Sequence, residues 1–181
     1  KSKVMIGPGV VINPDVLLKE IKDFDVSNRT FIDKNCGIIE QNHLDEDSKG
    51  RLKETIGSTG SGTGPANAER AMRTLKLAKE IKSLSAYLGD IPAAVNTALD
   101  SNENVLVEGT QGTHLSLWHG TYPYVTSKDV TASAICSDIG LGPKKVDEVI
   151  VIFKSYVTRV GTGPMDNELT PEEISKKGWA E

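Results

Sequence analysis

Between Val105 and Ser127 the chain reads VLVEGTQGTHLSLWHGTYPYVTS. The apolar run Val105-Leu106-Val107 ends at Glu108-Gly109. Gly112 and Gly120 follow, in a segment crowded with the hydrogen-bonding side chains of Thr110, Gln111, Thr113, His114, His119 and Thr121. A Tyr122-Pro123-Tyr124 turn then leads into Val125, Thr126 and Ser127. This pattern predicts a buried strand that opens into a polar loop, and such loops carry function more often than packing residues do. A strand of this kind needs a sheet to sit in, which constrains the rest of the chain.

The remaining segments supply one. Val4-Met5-Ile6 predicts a short strand turned by Gly7-Pro8-Gly9. Asn13-Pro14 caps a helix with Leu17, Leu18, Ile21 and Phe24 on one face. Thr30-Phe31-Ile32 and Gly37-Ile38-Ile39 read as strands, and Gln41 to Lys53 as an exposed polar excursion. Ile56 to Pro65 is a loop. Pro65 opens a predicted helix to about Leu84, with Ala68, Met72, Leu75 and Ala78 inward, and a second helix spans roughly Ile91 to Leu99. Thr131 to Ile139 predicts a small-residue helix stopped by Gly140. Glu148 to Phe153 reads as a buried strand continuing through Ser155 to Val160, and Gly161-Thr162-Gly163-Pro164 closes it. Strands alternating with helices predict an α/β fold, a layered sheet with flanking helices, in one domain over residues 1–181.

Composition narrows the function. A net charge of −4 argues against a broad nucleic-acid surface. No apolar run approaches the ~20 residues of a membrane span, and no signal peptide is visible, so the chain reads as cytoplasmic. Cys36 and Cys136 sit alone in apolar contexts, as structural thiols do.

Three further constellations could bear chemistry. In Gly57-Ser58-Thr59-Gly60-Ser61-Gly62-Thr63-Gly64-Pro65, glycines let backbone N–H groups approach a ligand, hydroxyls add donors, and the helix start favours an anion. Phosphate suits such a loop; a flexible Gly/Ser linker is the alternative reading. The pattern is neither a Walker A loop nor a dinucleotide fingerprint. Arg70, Arg73, Lys76, Lys79 and Lys82 form a leaning basic stripe on the predicted helix, which a solvated face would explain. Arg70 and Arg73 stand apart because they lie near the glycine loop, and an arginine can grip phosphate in its own subunit or in a neighbour.

The third is Thr158-Arg159-Val160-Gly161-Thr162-Gly163-Pro164, a second glycine turn at a strand end, where ligands gather in open α/β sheets. Gln111, between two glycines, can present its amide to a polar heterocycle edge, and Thr126 offers a hydroxyl. His114 and His119 have the wrong spacing for a helical metal pair. Trp118, Tyr122 and Tyr124 read as packing or interface groups. These residues point to a small anionic, heterocyclic ligand of nucleotide type, and they leave the reaction open.

Three motifs together resemble the adenylosuccinate synthetase family: IGSTGSGTGPANAERAMR at Ile56–Arg73, EGTQGTHLSLWHGTYPYVTS at Glu108–Ser127, and TRVGTGP at Thr158–Pro164. Their order and spacing suit the family. The compact Thr63-to-Asp100 region resembles its shorter archaeal-type members.

The resemblance implies GTP-dependent ligation of IMP and L-aspartate to adenylosuccinate, with Mg²⁺ as cofactor, in a homodimer whose α/β sheet is related to P-loop nucleotide-binding proteins. It also implies residue roles. Thr59 and Thr126 match threonines that bind the IMP phosphate. Arg73 matches an arginine that reaches the partner subunit's IMP site. Gln111 matches a glutamine that contacts the purine 6-oxygen and supports catalysis. Leu115, Val160 and Gly161 match residues that line the base and ribose. The family's GDEGKG loop with its catalytic Asp, its GHT element with the catalytic His, its arginine-rich aspartate segment and its guanine-reading motif do not occur in this sequence. The chain starts without Met and ends at Glu181 just after an opening helix, which Thr170 can cap, with Pro171 in its first turn and Glu173 three residues after Thr170. It is therefore expected to be the central, IMP-binding fragment, incomplete as a fold and inactive alone, with the Mg²⁺ ligands elsewhere. A non-catalytic purine-nucleotide-binding paralogue is the alternative.

Overall fold

The computed structural model describes residues 2–50, 52–166 and 168–178. Arg51, inside the predicted polar excursion, and the last three residues of the chain lie outside them.

Strands β1 (Val4–Ile6), β3 (Thr30–Asp33) and β5 (Leu88–Gly89) form a parallel sheet in the order β1-β3-β5. A second parallel pair joins β2 (Val11–Ile12) to β4 (Gly37–Ile38). Alternation along the strands divides the core between the two faces of the sheet. Ile6, Ile32 and Leu88 turn to one side, where Ile12, Cys36, Ile38, Ala78 and Leu84 are buried with Leu17 and Leu18 of helix α1 (Pro14–Asp23). Met5 and Phe31 turn to the other, against Ile91 and Val95 of α4 (Ile91–Asp100), Cys136 of α5 (Ala132–Asp138), and Ile139 and Leu141 just beyond it. A parallel sheet covered on both faces follows from connections that cross over it. The fold is thus mixed α/β, with parallel strands and flanking helices.

Local signals account for the helix starts. The Asn13 side chain accepts from the N–H groups of Asp15 and Val16 at 3.0 and 3.2 Å, with Pro14 at the first helical position. Asp90 caps α4 through the N–H of Ala93 at 3.0 Å. Thr170 and Glu173 close a capping box on α6 (Pro171–Lys176).

Several expectations are overturned. Residues 41–47, expected within the exposed excursion, form helix α2 (Gln41–Asp47), whose His43 and Asp47 are buried. The predicted Pro65–Leu84 helix stops early. Helix α3 runs Thr63–Met72, and Arg73 then adopts a left-handed φ of 66°. The Arg73 and Thr74 N–H groups bond back to Arg70 and Glu69 carbonyls, which closes the helix end. Leu75 is buried from an extended run beside β4, and Ala78 from the 3-10 turn Ala78–Glu80 that follows it: Ile38 N–H donates to the Lys76 carbonyl, and Leu77 bridges Gly37. Ala68 and Met72 face outward. Phe24, beyond the end of α1, is exposed as well.

The basic stripe dissolves with the helix that would have carried it. Arg70 donates to the Pro8 and Asn35 carbonyls, and Lys76 pairs with Glu40 at 2.6 Å. Neither Val105–Val107 nor Glu148–Val160 is in a sheet. Ile152 and Phe153 are 90% and 85% exposed, so these runs have strand composition but form no strand. Among the described residues no helix is long and apolar enough to cross a membrane.

Candidate functional site

Helix α3 is preceded by its cap residue Gly62, the last residue of the Gly57–Gly62 loop. Gly62 takes φ 77°, and a Cβ there would meet Ile39 and His43 at 2.8 and 3.2 Å. Only glycine allows α2 to pack directly against the start of α3. The far end of the loop is equally tight: a Cβ on Gly57 would lie 2.7 Å from the Thr162 nitrogen. Thr162 N–H donates to the Ile56 carbonyl at 3.3 Å, and its hydroxyl donates to the Thr55 carbonyl at 3.3 Å. The Gly161–Thr162 turn therefore lies against the root of the glycine loop.

The Val105–Ser127 segment closes the arrangement. Ser127 Oγ accepts from Asn67 of α3 at 2.8 Å and donates to the Thr63 carbonyl at 3.4 Å. Thr126 N–H donates to the Leu115 carbonyl at 2.8 Å, which holds the 3-10 turn Thr113–Leu115 beside it. Gln111 Nε2 donates to Thr126 Oγ1 at 3.2 Å. Arg159 donates to the Tyr124 carbonyl at 2.5 Å and to the Thr162 carbonyl at 3.0 Å, and its guanidinium lies 6.0 Å from the Tyr124 ring centre. The Tyr122–Pro123 bond within this turn is cis.

The three motifs thus touch one another. Gln111, Leu115 and Thr126 are joined by direct contacts, Ser127 ties them to α3, and Gly161 abuts Gly57 in the loop that bears Thr59. Thr59 is exposed, with its hydroxyl 3.4 Å from that of Ser61. Thr63, Gln111 and Thr126 also border a hollow of about 1780 Å³ between β1, α4 and the Val105–Thr110 run. Val160 is exposed. Arg73 lies apart from the cluster, at the opposite end of the ten-residue helix α3, roughly 15 Å from the loop at the usual rise per residue.

Gln111 has φ 63°, a left-handed conformation that costs a non-glycine residue about 1–2 kcal/mol. Strain of this sort gathers at ligand sites. Beneath the Thr113–Leu115 turn, Ser116 is fully buried and donates to Asp129 Oδ1 at 2.7 Å, while Thr131 Oγ1 donates to Oδ2 at 2.7 Å. These hydroxyls, Ser116 foremost, hold the Asp129 carboxyl below the usual carboxylate range. His114 and His119 meet this support only through their backbones: the His119 N–H donates to Ser116 Oγ at 3.1 Å, and the His114 carbonyl accepts from Thr121 N–H at 3.4 Å. Among the described residues no group of three or more His, Cys, Asp or Glu side chains converges as a metal site.

The sequence reading missed Asp47. Its carboxylate, only 3% exposed, accepts from Ser58 Oγ at 2.6 Å and from Gly62 N–H at 2.8 Å. A signal was available: His43 and Asp47 stand four residues apart, on one face of a helix.

An arrangement of glycine loop, helix start, paired hydroxyls and a left-handed Gln111 marks an α/β protein with a candidate site for an anionic, heterocyclic ligand. Comparison with known proteins gives the family. The adenylosuccinate synthetase model matches residues 1–81 and 71–179. The adenylosuccinate synthetase of Methanococcus aeolicus is 57% identical over 184 residues, covering 99% of this chain and 55% of that protein. The synthetase of Methanocaldococcus jannaschii is 55% identical, over 100% of this chain and 54% of its own length. The structure of fully ligated adenylosuccinate synthetase from Plasmodium falciparum superposes with a TM-score of 0.87 at 27% identity, covering 96% of this chain and 53% of that one. The chain belongs to the adenylosuccinate synthetase family and is of its archaeal type. It spans about half the length of the curated relatives it matches.

Proposed function

We propose that this chain is the IMP-binding part of an adenylosuccinate synthetase, the enzyme that uses GTP to join IMP and L-aspartate into adenylosuccinate. One observation carries the reading: the three motifs, distant in sequence, meet around Gln111, Thr126 and the Thr59 loop.

In this reading the hydroxyls of Thr59 and Thr126, with the loop N–H groups, hold the 5′-phosphate. The present partner of Thr126 Oγ1 is Gln111 Nε2. With IMP bound, that amide turns to the purine 6-oxygen and stabilises the negative charge developing there as the oxygen attacks the transferred phosphoryl group. Leu115, Val160 and Gly161 line the base and ribose. Arg73, exposed and remote from its own loop, serves the IMP site of the other subunit in a homodimer. Mg²⁺, when bound, would supply charge neutralisation on the phosphates of GTP, with ligands outside residues 1–181. Residues 1–181 form one α/β unit related to P-loop nucleotide-binding proteins and completed by further sheet. The exposed Leu106 and the exposed Val149–Phe153 run support that incompleteness, and so does coverage of about half of each relative. Alone, this unit binds without turning over.

Titration calorimetry with IMP on the chain and on the product of the complete open reading frame tests the reading. Thr59→Ala and Gln111→Ala should each weaken binding about 10-fold or more, as loss of a hydrogen bond to a charged or polarised group does. Unchanged affinity in both variants would remove the pocket. GTP-dependent adenylosuccinate formation by the 181-residue chain would overturn its proposed inactivity.

A further inference from the structure

We infer that Asp47 is a positioning residue for the phosphate loop, an inference that rests on the IMP reading above. Asp47 ends helix α2, and its two carboxylate oxygens divide between the two ends of the loop. Oδ1 takes the Ser58 hydroxyl, just before Thr59, and Oδ2 takes the Gly62 N–H, just after Ser61. The tripeptide Thr59-Gly60-Ser61 is therefore spanned by one buried, planar group. Hydrogen bonds from neutral donors to a carboxylate are roughly twice as strong as neutral pairs. Few other side chains could fix both ends at once.

The helix carrying Asp47 is itself locked. One turn earlier, buried His43 accepts the Glu40 N–H on Nδ1 at 2.9 Å, and its Nε2 lies 3.1 Å from a Glu69 oxygen on α3. The Nε2–Glu69 contact is short but poorly aligned as a hydrogen bond. Even so, it sets α2 against α3. The Gly62 contact with His43 and Ile39 leaves no slack between the two helices. The rotation of α2 is thereby transmitted to the loop through Asp47.

The carboxylate has a second effect. It occupies the N–H of Gly62, the residue capping α3, so that donor is spent on the protein. A bound phosphate must then be met by the exposed Thr59 and its neighbours. Asp47 thus selects where on the loop the anion sits.

The test uses the product of the complete open reading frame, with Asp47→Ala and Asp47→Asn, titrated with IMP and with inosine, which lacks the phosphate. Asp47→Ala should weaken IMP about 10–100-fold, the worth of one or two charge-assisted hydrogen bonds, and leave inosine unchanged. It should raise KM for IMP far more than it lowers kcat. Asp47→Asn, which still offers an amide oxygen to Gly62, should recover most of the loss. Amide exchange should quicken over 58–62 and stay unchanged in α4.

Wild-type IMP affinity and wild-type exchange at 58–62 in Asp47→Ala would overturn the inference. So would an equal loss of IMP and inosine with faster exchange in α4, which marks a general loss of structure. If the unaltered protein binds neither ligand, the IMP reading fails, and amide exchange alone decides whether Asp47 holds the loop.

Discussion

Gln111 Nε2 donates to Thr126 Oγ1 across 3.2 Å, although fifteen residues separate them in the chain. The same glutamine holds a left-handed backbone at φ 63°, which a glycine would adopt freely. Gln111→Gly should therefore stabilise the protein by about 0.5–1 kcal/mol in urea unfolding while weakening IMP binding about 10-fold or more. A variant that gains neither stability nor loses affinity would show that the strained conformation has no connection with the ligand.

Cys36 is sealed in the core, where its thiol donates to the Gly7 carbonyl at 3.1 Å. Burial pushes this thiol up to about 12, with the nearby Asp33 charge adding to the effect. Cys136 is only half-buried. An alkylating reagent at pH 8 should modify Cys136 in the native protein and spare Cys36 until the fold opens, as read by mass spectrometry. The folded state favours the protonated thiol. Stability from this group is thus intact below the ordinary thiol value near 9 and is lost as pH rises from there toward 12. A Cys36→Ser variant should lack that alkaline loss.

The Asp129 carboxyl is held low by Ser116 first and by Thr131 next. A depressed folded value means stability that is present above the ordinary carboxylate range and lost as pH falls through the folded value. The Thr113–Leu115 turn rests on this group, so acid should loosen the Gln111–Thr126 region before the β1-β3-β5 sheet. Amide exchange at pH 3 and pH 7 would report it. Asp129→Asn should remove the difference between the two regions.

Ile32 is fully buried at the centre of the parallel sheet, between Ile6 and Leu88. Truncation to alanine leaves a cavity that close-packed neighbours fill only in part, at a cost of about 2–5 kcal/mol. Denaturant midpoints should fall accordingly, and IMP binding should fall with them only where the fold is lost.

Elements written in local chemistry were legible in the sequence. Asn13-Pro14, Thr170-Pro171 with Glu173, and Gly140 each mark a helix boundary within a few residues, and the structure places α1, α6 and the end of α5 there. Elements set by distant partners were not. Leu75 and Ala78 fall at a helical spacing from Met72, yet they are buried because residues 74–77 lie along β4. Val149 to Phe153 has a buried strand's composition, but composition cannot supply the neighbour that buries it. The site divides in the same way. Gln111, Thr126 and Gly161 stand out by residue type and glycine spacing. Asp47 lies in a polar stretch where only the helix that forms, and the loop it meets, distinguish it from its acidic neighbours Asp45 and Glu46.

The loop bearing Thr59 is closed by contacts of very different reach. Asp47 to Gly62 spans 15 residues, Ser127 to Thr63 spans 64, and Thr162 to Thr55 spans 107. The two longer contacts close wider loops than the Ile32–Leu88 pairing of the sheet and are expected to form after it, because the entropy of closing long loops has to be overcome before they give any return. The ligand-holding geometry is therefore among the last parts of the molecule to be assembled during folding. An early, compact chain with the β1-β3-β5 core in place would still be unable to grip a nucleotide phosphate. The appearance of IMP affinity during refolding would then serve as a clock for completion, lagging behind the burial of Ile32.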